Sequence, residues 1–120
     1  MASSTSLKII LGVANCGDVT RDTTVRYDSP EDVNTYLDAF YDRGGRQLDT
    51  ARGYPPQAPG TSEERLGTVA AGKRFTIDTK VVLFVPGSHV AAKILESVDN
   101  SVELLKTPAI NIEYLHFQTV

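Results

Sequence analysis

Short β-rich runs alternate with amphipathic segments along this chain, and that alternation restricts the fold more than any other feature of the sequence. The first run, Lys8 to Leu11, is nearly all apolar, as suits a strand buried on both faces. After the loop NCGDVTRDTTVRYDSP, Ser29 offers an N-cap, Pro30 fits the first helical position, and Val33, Tyr36, Leu37, Phe40 and Tyr41 recur at helical spacing. Gly44 and Gly45 close that helix, and a second strand is predicted over Arg46 to Thr50. A proline loop follows. Thr61 with Glu64 makes a capping-box pattern, Ser62 competing as the cap, for a short helix that Gly72 ends. RFTIDTKVVLF is the third strand, and Ser88 caps a longer helix with Val90, Ile94, Val98, Val102 and Leu105 in one stripe, Ala91 and Leu95 beside it. Pro108 prevents its extension, and INIEYLH is the fourth strand.

The order β-α-β-α-β-α-β implies parallel strands joined by right-handed crossovers. Two architectures satisfy it: an open doubly wound sheet, or the front part of a (β/α) barrel. LGVANCGDV does not supply the glycine pattern of a dinucleotide-binding fold, and no Walker motif occurs. At 120 residues the chain makes a single domain or part of one. A net charge of −3, with no basic cluster longer than Lys73-Arg74, argues against nucleic acid as a partner. The opening MASSTSLKIILGVANCG is too short in apolar residues for a signal peptide or a membrane span. Cys16 is the sole cysteine, which rules out an intrachain disulfide or a multi-cysteine metal site and fits a reducing, cytoplasmic setting. Its expected role is a small buried residue near a strand end.

In parallel α/β folds the chemistry gathers where strands finish. The second, third and fourth strands end near Asp49, Lys80 and His116, and Tyr54 lies just beyond the second. Singly these residues have ordinary explanations: a turn acid, a solvated lysine, a satisfied histidine, a tyrosine packed on prolines. Their arrival on one rim from three strands is what makes them candidates. Arg52 is expected as a solvated rim residue, and His89 as helix-terminal polarity.

LDTARGY, SEERLG, DTKV and YLH, in that order over essentially the whole chain, resemble the aldo-keto reductases, most closely the branch of aflatoxin-aldehyde reductases and related fungal enzymes. The resemblance implies the first four strands of a TIM-type (β/α)8 barrel, so that residues 1–120 form one partial barrel domain corresponding to the N-terminal half of such an enzyme. It implies an NADPH-dependent reduction of an aldehyde or ketone to an alcohol, in a setting such as fungal secondary metabolism. Tyr54 would be the general acid, Lys80 would ease the loss of its proton, Asp49 would hold Lys80 and lie near the nicotinamide ribose, and His116 would orient the substrate carbonyl. The prolines 55, 56 and 59 would stiffen the loop that presents Tyr54.

In the family the groups that hold the nicotinamide and the phosphates come from the second half of the barrel. The alternatives are therefore a truncated, non-catalytic chain that keeps the constellation, or a half-barrel active only as an oligomer. Open sheet edges would favour self-association. FQTV does not match the family's usual continuation after the histidine, and Glu113 replaces the usual apolar or aromatic residue, where unpaired burial is costly. Asp78 shares the strand face of Lys80 and is expected to compete with Asp49 for the ammonium.

Overall fold

Residues 7–81, 86–87 and 90–116 are described by a computed structural model. The elements run β1 (Leu11–Gly12), α1 (Pro30–Asp42), β2 (Gln47–Asp49), α2 (Thr61–Thr68), β3 (Thr76–Val81), α3 (Ala91–Leu105) and β4 (Ile112–Leu115). A single 3-10 turn, Ala71–Lys73, stands between α2 and β3. The sheet is parallel throughout, in the order β1-β2-β3-β4. No reversal of strand order occurs among these strands, so this is the singly wound pattern of a barrel wall and not a doubly wound sheet.

Register assigns the two faces of the sheet. Leu11, Leu48 and Ile77 align across β1, β2 and β3, and they join Val33 and Leu37 of α1, Leu66 of α2 and Leu105 of α3 in one core. All three helices therefore cover the same face. The other face carries Asp49 beside Asp78, and Lys80 beside Tyr114. Gly67 lets α2 approach α3 closely, because a Cβ there would run into the Leu104 carbonyl oxygen.

Helix α1 begins as expected: the Ser29 Oγ accepts from the Asp32 amide at 3.1 Å, with Pro30 in the first turn. Several expectations are corrected. The Lys8 to Leu11 run is not a doubly buried strand; β1 covers Leu11–Gly12, while Ile9 is 67% exposed. As an outer strand it lacks a neighbour on one side among the described residues. Helix α2 is capped by Gly60 in a left-handed conformation, not by Thr61 or Ser62, whose hydroxyls instead bond the carbonyls of Ala58 and Val13. It ends at Thr68 rather than Gly72, which packs against Thr107 from the 3-10 turn. The buried line of α3 is Ser97, Ser101 and Leu105; Leu95 is 64% exposed. Small side chains face inward there, and the larger apolar ones flank the contact. The expected Ser88 cap, His89, the end of the third strand at 82–84 and the FQTV segment lie outside the described residues.

Candidate active site

The strand ends and the loop after β2 bring Asp49, Tyr54, Lys80 and His116 together. Lys80 leaves β3 toward β2 and donates from Nζ to Asp49 Oδ2 at 2.7 Å and to the Thr50 carbonyl at 2.8 Å. Its side chain is 14% exposed and that of Asp49 31%, so the pair is partly shielded from water. The same ammonium lies over the Tyr54 ring, 4.8 Å from its centroid, a cation–π arrangement that fixes the ring against the charge. Tyr54 Oη stands 3.5 Å from His116 Nε2, and the two rings meet edge to face.

The competition expected from Asp78 does not occur. Its carboxylate accepts from Gln47 Nε2 at 2.6 Å and from Asn111 Nδ2 at 2.8 Å, which leaves Lys80 to Asp49. Burial pushes the His116 pKa below its ordinary value, with the Lys80 charge acting in the same direction and Asp49 opposing it. A neutral imidazole beside a phenol can donate or accept one hydrogen bond without introducing a second cation.

Tyr54 is fixed through its backbone as well. Its amide donates to the Ala51 carbonyl and its carbonyl accepts from the Ser62 amide, at 3.1 and 3.2 Å. The Tyr54–Pro55 peptide is cis, and Pro55 is buried against Gly17, where a Cβ would meet its ring at 2.8 Å. Asp22, itself buried, accepts from the Gln57 amide at 2.9 Å and ties the loop after β1 to the proline loop. The stiffness expected from the prolines is thus supplemented by bonds from two other segments, α2 and the loop after β1.

Arg52, expected as a solvated rim residue, is partly exposed but also reaches inward. Its guanidinium lies 3.5 Å from Oε2 of Glu63, a fully buried carboxylate on α2 whose Oε1 accepts from Thr79 Oγ1 at 2.7 Å. Nothing in SEER marks which acid turns inward: the capping-box pattern points to Glu64, whereas Glu63 is the one that is buried. Glu113, opposite Thr79 on β4, faces the same helix layer; both its carboxyl oxygens are buried without a partner, and burial, then the Glu63 charge, pushes its pKa up to about 7. Cys16 is buried in the core, and burial alone pushes its thiol up to about 12, as a structural cysteine requires.

No group of three or more His, Cys, Asp or Glu able to hold a metal ion occurs among the described residues. No helix among them is long and apolar enough to cross a membrane. A cavity of about 810 Å³, lined by Phe40, Arg46, Gln47 and Thr76 among others, opens at the start of the strands, away from the four rim residues.

The family model of the Aldo/keto reductase family matches residues 8–119. The chain belongs to the aldo/keto reductase family. Two solved structures of Pseudomonas aeruginosa proteins assigned to the aldo-keto reductases superpose on this family member with TM-scores of 0.69 and 0.70, at 30% and 28% identity, each over 92% of this chain. A thermostable aldo-keto reductase solved with the inhibitor epalrestat shares the fold, with a TM-score of 0.67 at 22% identity over 90% of this chain. The chain spans about 42% of the length of the Pseudomonas structures and 38% of the third. A comparison with curated proteins finds no match. The fold expected from the sequence, a parallel sheet corresponding to part of a TIM-type barrel, is the one observed.

Proposed function

We propose that this chain supplies the proton-transfer part of an NADPH-dependent carbonyl reduction, converting an aldehyde or ketone to an alcohol. The observation that carries the proposal is the convergence of Tyr54, Lys80, Asp49 and His116 on one rim. A carbonyl oxygen placed against Tyr54 Oη and His116 Nε2 would accept from both. As negative charge develops on that oxygen, Tyr54 transfers its proton to it, and the nearby Lys80 ammonium stabilises the phenolate left behind. Lys80 keeps its orientation through Asp49 and the Thr50 carbonyl. NADPH, when bound, supplies the hydride that reduces the carbonyl carbon.

The residues present fit such a donor at one point. Asp49 Oδ2 is committed to Lys80, while Oδ1 makes no hydrogen bond among the described residues and the side chain remains partly exposed, so it can accept from a ribose hydroxyl. The fungal secondary-metabolism setting and the aflatoxin-aldehyde branch rest on the sequence resemblance alone. A second reading is favoured by the open outer strands and the exposed Leu115: the rim forms within one copy, and the hydride donor is held only when a second copy adds strands to the sheet.

Titration of the purified chain with NADPH, followed by cofactor fluorescence, tests the donor. The proposal predicts a saturable change that Asp49→Asn weakens. The absence of any change up to about 1 mM, the upper end of ordinary KM values, contradicts it for the isolated chain.

A further inference from the structure

Tyr54 and Lys80 arrive from different segments, one on a loop and one on a strand, and their spacing needs something that ties those segments together from behind. Glu63 occupies that place. Its carboxylate is fully buried, accepts from Thr79 Oγ1 on β3, one residue before Lys80, and meets Arg52, two residues before Tyr54. Arg52 is also bound through its backbone, the amide donating to the Lys80 carbonyl at 3.0 Å. Its guanidinium lies against Gly60, where any Cβ would run into Nη1, so both ends of the Tyr54 loop rest on one ion pair.

We propose that Glu63, acting through Arg52 and Thr79, is a positioning residue that sets the placement of the Tyr54 phenol over the Lys80 ammonium. This rests on the proton-transfer reading above. A buried carboxylate that merely stabilised the fold could bond anywhere in the helix layer. Among the described residues this one bonds Thr79, which directly precedes Lys80, and Arg52, two residues before Tyr54. Burial makes the arrangement stiff, because an unpaired partner in that layer would cost several kcal/mol. Proton transfer is sensitive to displacements well under an ångström.

The test uses the full chain with 13C-labelled tyrosine rings, comparing Glu63→Gln, Arg52→Met and Thr79→Val with a remote core variant, Leu37→Ala. The positioning role predicts that the Tyr54 ring resonances shift in all three variants, that cross-peaks between Tyr54 and Lys80 weaken, and that the Tyr36 resonances stay in place. Leu37→Ala should lower stability without moving Tyr54. Where carbonyl reduction is measurable, the three variants lose roughly 10- to 100-fold in kcat with KM little changed, as expected for lost alignment. Unchanged Tyr54 signals in folded variants overturn the role. If Glu63→Gln does not fold, the partly exposed Arg52→Met and the near-isosteric Thr79→Val still decide it. A wild-type chain that reduces no carbonyl would contradict the proposed reaction, yet the resonance shifts would separately support or overturn the positioning.

Discussion

Glu113 and His116 lie three residues apart on β4 and its end, and burial moves their pKa values in opposite directions. Glu113 binds its proton more tightly in the folded chain, up to about 7 from the ordinary 4.5. Its stabilising contribution is therefore complete below pH 4.5 and is lost as pH rises through about 7. Glu113→Gln should raise stability at pH 8 by roughly 1–2 kcal/mol after allowance for screening, and change it little at pH 4.5. Denaturant melts at the two pH values check this; an equal effect at both would contradict it. For His116 the direction is lower, so its proton is lost below the ordinary 6.5 and stability declines as pH falls through that range. Lys80→Met removes one cause of the shift, and the NMR titration midpoint of His116 should rise; an unmoved midpoint would show that Lys80 does not act on the ring. The four rim residues were legible in the sequence because strand ends can be located from local patterns. Glu63 was not, since a run such as TSEER does not reveal which acid turns into the helix layer, and without it the partner of Arg52 could not be read.

At the scale of elements, signals that depend on neighbours in the chain were readable and those that depend on distant packing were not. The Ser29 cap of α1 belongs to the first kind: one hydroxyl, one amide three residues on. Replacing it with alanine should cost about 1 kcal/mol, measurable by chemical denaturation, and no loss would mean that Pro30 alone defines the start. The start of α2 belongs to the second. Thr61 and Ser62 look like caps but are drawn away, Thr61 accepting from the Asp18 amide and Ser62 donating to the Val13 carbonyl. The face of α3 was misread for a related reason: its buried line is Ser97, Ser101 and Leu105, set by how the helix sits on its neighbours and not by its own apolar stripe. Gly67→Ala should destabilise the chain by roughly 1–3 kcal/mol through overpacking against Leu104. An unchanged melting temperature would show that the two helices can separate without cost.

Over the whole molecule, all the helices cover one face of the sheet, and the opposite face and both outer strands stay open among the described residues. Tyr114 and Leu115 on β4 are 42% and 58% exposed, and Ile9, just before β1, is 67% exposed, an apolar exposure that favours pairing with another chain. We expect the purified chain to elute larger than a 120-residue monomer, and Ile9→Lys or Leu115→Lys to shift it toward the monomer. A monodisperse monomer in the unsubstituted chain would contradict this. The parallel alternation of strands and helices was legible because it follows from periodicity alone. The register that places Asp49, Lys80 and Tyr114 on the open face required the fold. The central claim is that this face ends in a proton-transfer site, and the most direct test compares the unsubstituted chain with Tyr54→Phe in NADPH-dependent reduction of an aldehyde, under matched conditions and with folding verified. The account predicts measurable turnover that falls by at least about 100-fold on loss of the phenol hydroxyl, as removal of a general acid should produce; full activity in Tyr54→Phe would contradict it.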